Sequence, residues 1–145
     1  MLQLEELSAE WIGDSNDEQM KSTPTKIDMG KFSSLTNLRV LKLRGIAGLT
    51  LPAFYLSGGL SDLKTLKNLQ KLSLTSFKDI GAEPDLELLS TLPNLTHLEL
   101  GDCTSWTKQT YKSIGKLTQL KSLRLECGCN SYDTGLAEAL DGLRQ

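Results

Sequence analysis

The chain has 145 residues, with 16 basic and 18 acidic side chains and a net charge of -2. That is enough for one domain, and so balanced a charge makes no field that would gather nucleic acid or an anionic membrane. Apolar residues make up 39% of the chain and thirty of them are leucine, so the first question is whether those leucines recur at a fixed period.

They recur along the whole chain. A first strand is read near Leu4, in Leu4-Glu-Glu-Leu7-Ser-Ala9. The polar stretch from Trp11 to Lys31 follows and reads as a solvated insertion, with a Thr23-Pro24 dipeptide that could be phosphorylated. A second strand begins near Leu38, in Leu38-Arg-Val-Leu41-Lys-Leu43, and leads into an apolar loop from Ala47 to Leu56. Ser57-Gly-Gly59 then acts as a hinge into a helix carrying Leu60, Leu63 and Leu66. The third strand is Leu69-Gln-Lys-Leu72-Ser-Leu74, followed by a helix with Pro84 in its first turn and Leu86, Leu89 and Leu92 on one side. The fourth strand is Leu95-Thr-His-Leu98-Glu-Leu100, followed by a helix with Tyr111, Ile114 and Leu117. The fifth is Leu120-Lys-Ser-Leu123-Arg-Leu125, and a last helix, capped by Asp133, carries Leu136, Leu140 and Leu143.

Four of these strands read LxxLxL, each after Asn37, Asn68, Asn94 or Gln119. Leu35, Leu66, Leu92 and Leu117 stand three residues before each first Leu, and Phe32, Leu63, Leu89 and Ile114 three residues earlier still. The second half of LxxLxL alternates as a strand with one buried face does. The preceding columns have helical spacing. A unit of strand, loop, helix and turn cannot bury its leucines alone, and stacked copies can. The expected fold is therefore α/β, one domain spanning 1-145, with a parallel sheet on one side and helices on the other.

This pattern resembles the leucine-rich-repeat superfamily, over essentially the whole chain. Strand starts at 4, 38, 69, 95 and 120 give spacings of 34, 31, 26 and 25, and the last two suit the longer intracellular repeats with an α-helix opposite each strand. Leu95 to Cys103, LTHLELGDC, looks like the cysteine-containing class of F-box proteins, although the aligned position is Ile46, Phe77 and Gly128 in the other repeats. The resemblance implies a horseshoe-like solenoid that binds proteins. It further implies either substrate recognition for a ubiquitin ligase or a sensor or autoinhibitory module like the repeats of nucleotide-binding immune receptors. Neither an F-box domain nor a nucleotide-binding P-loop lies in these residues. Both ends look uncapped, from Met1-Leu-Gln to Leu143-Arg-Gln145. A fragment of a longer chain is therefore expected, along with association through open terminal repeats.

Catalysis, metal and cofactors find little support. The one histidine, His97, would have to serve as base in any Ser-His-Asp or Cys-His arrangement. Cys103 lies six residues further along the same strand, too far to meet it directly. Cys127-Gly-Cys129 lacks the usual two-residue zinc spacing, and Ser57-Gly-Gly59 lacks the lysine of a phosphate loop. Within these residues no signal-peptide pattern and no apolar run long enough for a membrane span is read. Three cysteines are an odd number for a secreted disulfide framework, and Asn94 of the sequon Asn94-Leu-Thr96 holds a repeat turn position, so a cytoplasmic location is expected.

A protein partner remains, and the surface must carry it. The outward strand positions would be Glu6, Ser8, Glu10, Val40, Lys42, Arg44, Lys71, Ser73, Thr75, His97, Glu99, Gly101, Ser122, Arg124 and Glu126, with no phenylalanine, tyrosine or tryptophan among the fifteen. Their mixed charges fit cross-strand pairing and equally fit a polar face that reads a partner. Trp11, Phe54, Tyr55, Phe77, Trp106 and Tyr132 all fall after a strand and before the next helix. Trp11, Phe77 and Trp106 could plug the core at that edge. Phe54 and Tyr55 read as exposed anchors in the apolar loop, with Trp106 and Tyr132 beside them. Lys42, Arg44, His97, Glu99 and Arg124 would then tune approach and specificity.

Overall fold

The computed structural model describes residues 3–12, 26–46, 54–57, 59–78, 85–103, 108–127 and 135–144. Eight strands are defined: β1 (Glu6–Ile12), β2 (Lys26–Asp28), β3 (Val40–Ile46), β4 (Phe54–Ser57), β5 (Lys71–Thr75), β6 (Phe77–Lys78), β7 (His97–Cys103) and β8 (Ser122–Cys127). The helices are α1 (Asp85–Leu88), α2 (Lys108–Gly115) and α3 (Gly135–Leu143), with 3-10 turns at Met29–Phe32, Leu60–Thr65 and Leu89–Thr91.

The fold is mixed α/β. Strands β1, β3, β5, β7 and β8 form one parallel sheet in chain order. Each strand begins two residues after the first Leu of its motif, and the register follows from the motif itself. Leu7, Leu41, Leu72, Leu98 and Leu123 are successive partners, as are Ala9, Leu43, Leu74, Leu100 and Leu125. A slip of one residue would turn every leucine to the solvent face. The junctions repeat too: the Glu5 carbonyl accepts from the amides of both Arg39 and Val40, Arg39 from Gln70 and Lys71, Gln70 from Thr96 and His97, and Thr96 from Lys121 and Ser122.

The apolar columns before each strand have a backbone cause. Amides at Leu35 and Leu38 donate to carbonyls three residues back, and so do those at Leu66 and Leu69, Leu92 and Leu95, and Leu117 and Leu120. This is 3-10 bonding, with three residues per turn, so side chains spaced strictly by three fall in one line. The expected helix at Leu60–Leu66 is accordingly a 3-10 segment, and α1 is one turn that tightens into 3-10 at Leu89. Among the described residues only α3, whose apolar spacing is four then three, and α2 run for two turns or more. Gly59 enters the 3-10 segment at φ 73° and ψ 174°, a region open to glycine alone.

Two expectations are corrected. The insertion is not wholly solvated: Lys26–Asp28 form β2, and Ile27 and Met29 are buried. The stretch expected as a loop up to Leu56 ends in β4, which pairs in parallel with β2 on one side and β6 on the other. Ile, Phe, Tyr and Leu suit a half-buried pleated surface, and three such segments recur after consecutive strands of the larger sheet. They build a second sheet in the order β2-β4-β6. The chain passes from the first sheet to the second at Ser76, whose φ is 61° and whose amide donates to the Gly101 carbonyl at 2.7 Å.

One core lies between strands and helical columns. Leu41, Leu72, Leu63, Leu66, Leu89, Phe77 and Ile114 are all fully buried in it. At the outer strands the same columns, Leu7 with Ala9 and Leu123 with Leu125, are half-buried. Asn68 and Asn94 serve the stack as the motif suggested, each donating its amide to a carbonyl of the preceding unit, Thr36 at 3.0 Å and Lys67 at 2.8 Å. Gln119, one methylene longer, reaches the Leu89 carbonyl at 3.0 Å. Among the described residues no helix is long and apolar enough to cross a membrane. Pro84 and Asp133 lie outside those residues.

Candidate functional site

Alternation sets the site. With the LxxLxL leucines turned into the core, the intervening residues form three outward rows across five strands. The first is Glu6, Val40, Lys71, His97 and Ser122; the second Ser8, Lys42, Ser73, Glu99 and Arg124; the third Glu10, Arg44, Thr75, Gly101 and Glu126. The second and third rows, Gly101 excepted, line a cavity of about 310 Å³ on this face of the sheet.

The expected charge pairing is present, and it differs between the two ends. On the β1–β3 side Lys42 Nζ lies 3.4 Å from Glu6 and Arg44 Nη1 3.8 Å from Glu10. All four side chains are at least 42% exposed, so each pair contributes at most about 1 kcal/mol and exchanges readily. On the β7–β8 side the groups are interlocked. Ser73 Oγ donates to Glu99 Oε2 at 3.1 Å, Arg124 Nε faces Glu99 Oε1 at 3.6 Å, and Arg124 also donates to Glu126 Oε1 through Nε at 2.8 Å and through Nη2. The Glu126 carboxylate, hydrogen-bonded and adjacent, and then Glu99, push the Arg124 guanidinium further above its usual range. Arg124 is a cation, 67% exposed, that faces both carboxylates. Glu99, 28% exposed, is the least exposed acid of the ion pairs on this face.

Gly101 makes this arrangement fit. A Cβ built there would stand 2.8 Å from Thr75 Cγ2 and 3.1 Å from Glu126 Oε2. The absent side chain leaves the space through which Glu126 reaches back to Arg124. Gly101→Ala should push the Glu126 carboxylate aside and strain Thr75, whose branched Cβ has little rotamer freedom. The expected cost is about 1–3 kcal/mol, read by urea denaturation. A neutral substitution would show that the notch is not needed.

Of the residues expected to bind a partner, Lys42, Arg44, His97, Glu99 and Arg124 share this face. His97 lies in the first row, with Nδ1 2.9 Å from Thr96 Oγ1, and Lys71 is its register partner. It opens β7 and Cys103 closes it, so the strand separates them. Phe54 and Tyr55 are not in a loop: they belong to β4, in register with Phe77 and Lys78, in the second sheet. Phe77 is fully buried, as a core plug would be. Trp106 and Tyr132 lie outside the described residues. Glu126, Glu10, Thr75 and Gly101 were placed on the outward rows by alternation alone, but their roles depend on which neighbour each side chain reaches. Among the described residues no group of three or more His, Cys, Asp or Glu side chains could hold a metal ion. No protein-family model and no curated protein sequence matches the chain.

Proposed function

We propose that the chain is a leucine-rich-repeat solenoid, with the five-stranded sheet as its concave side, and that it works as a protein-recognition module. The partner lies across the three outward rows. The observation that carries this reading is the in-register, polar and open face itself. Five parallel strands present charged and hydroxyl side chains around a cavity of about 310 Å³, while the leucines on their other side complete a continuous core. A face of this kind positions a partner through charge and hydrogen bonds rather than through large apolar anchors. The aromatic-edge alternative loses the loop placement on which it rested, because Phe54 and Tyr55 occupy a paired strand.

The two ends of the face divide the work. Lys42 and Arg44 exchange their loose partners Glu6 and Glu10 for acidic groups of the bound protein, while Glu99, held by Ser73 and facing Arg124, keeps its own partners. Lys42→Glu with Arg44→Glu should leave the melting temperature nearly unchanged, since exposed pairs contribute little. The same variant should slow association with a captured partner at least tenfold at low salt, an effect that fades as salt rises. Surface-immobilised protein at several salt concentrations is the test. Unchanged association of the reversed variant with every partner of the unaltered chain would overturn the assignment of this face.

A further inference from the structure

The chain has three cysteines, and two of them are register partners. Within the β7–β8 ladder, Gly101 is opposite Glu126 and Cys103 opposite Cys127, with a shift of register between Gly101 and Cys103. Two residues of β7 are therefore spanned by one of β8, which is a β-bulge. Aligning the motifs by sequence would have placed Gly128 beside Cys103; the bulge brings Cys127 there instead. Hydrogen-bonded strands lie about 4.8 Å apart, inside the window of about 4.4–6.8 Å that Cα atoms need for a disulfide. The register thus makes the two cysteines direct neighbours across the ladder, and closing the bond would draw their Cβ atoms to about 3.5–4.5 Å.

We infer that Cys103 and Cys127 are a reversible modification site, a dithiol that closes to a cross-strand disulfide when met by a low-molecular-weight disulfide such as oxidised glutathione. The thiolate of one cysteine attacks the glutathione disulfide and expels one glutathione thiolate, leaving a mixed disulfide on the protein. The second cysteine thiolate attacks the protein sulfur of that bond and expels the second glutathione. Two protein thiols are oxidised, one glutathione disulfide is reduced to two thiols, and the protons released from the cysteines end on glutathione or solvent. The crosslink ties the end of β8, the outer strand of the sheet, to β7, immediately after Glu126 and two residues beyond Gly101. It holds in place the part of the face where Glu126 meets Arg124. The modification itself is independent of whether that face binds a protein.

The experiment equilibrates the full chain with reduced and oxidised glutathione over a range of ratios, counts free thiols and maps the peptides. Trypsin leaves Cys103 in the peptide 79–108 and both Cys127 and Cys129 in 125–144, so a link involving Cys103 joins two peptides while a Cys127–Cys129 loop joins none. The expected result is loss of two of the three thiols, with the two peptides joined in the unaltered chain and equally in Cys129→Ser. Oxidation should raise the melting temperature by roughly 10 °C, as closing a loop of this length predicts. Cys127→Ser should instead accumulate a glutathione adduct on Cys103. Joined peptides that vanish in Cys129→Ser, a loop within 125–144, or three thiols persisting at ratios that oxidise ordinary protein dithiols would each overturn the inference. The mapping on the unaltered chain decides the matter even if a serine variant fails to fold.

Discussion

Leu98→Ala should cost about 2–5 kcal/mol, and Leu123→Ala, at the equivalent motif position one strand further out, no more than about 1–2 kcal/mol. Leu98 is 2% exposed, with Leu72 and Leu123 as its register partners on either side. Leu123 is half-buried on the outer strand. Truncation at the centre leaves a cavity walled by side chains that are themselves held by neighbours, so little can collapse into it. At the edge, solvent reaches the gap. Domains are stable by only about 5–15 kcal/mol, so the central loss takes a large share and should appear as a much lower urea midpoint. Equal losses at the two positions would mean that the sheet is not closed by neighbours on both sides at Leu98, and the stacked-unit reading would fail with it.

The larger sheet was legible because its determinants are local and repeated. LxxLxL fixes which residues face inward, and identical motifs can be aligned in only one register without exposing leucine. The outward rows follow by alternation. Even the charge pairing could be read ahead, because Glu10 and Arg44, like Glu99 and Arg124, are direct register partners. The helical side was less legible. A column spaced by three is compatible with one edge of an α-helix and with a 3-10 turn, and the choice falls to chain length between strands, which decides whether a full helix fits.

What alternation could not reveal depends on contacts outside its period. β2, β4 and β6 are two to four residues long, too short for a pattern, and exist because three segments lie side by side once the larger sheet has formed. The same holds for the notch at Gly101, which matters only because Thr75 and Glu126 lean over it. It holds again for the bulge that moves Cys127 opposite Cys103. Composition placed aromatics after the strands and suggested an adhesive edge. Pairing of β4 with β6 converts part of that edge into sheet, and at Phe77 into core.

Phe77 gives the sharpest separation between a structural aromatic and a binding one. Its side chain is fully exposed in a hot-spot reading and fully buried in a plug reading, and here its exposure is 0%. Phe77→Ala should therefore cost about 3–5 kcal/mol and lower the melting temperature by roughly 10 °C or more. Affinity for a partner, expressed per folded molecule, should stay within about twofold, because the removed ring touches the core and not the outward rows. Phe77→Leu, which keeps most of the volume, should recover much of the loss. Thermal denaturation together with titration below the melting transition distinguishes the outcomes. If Phe77→Ala kept its stability and lost affinity tenfold, the second sheet rather than the charged face would be the surface that partners use.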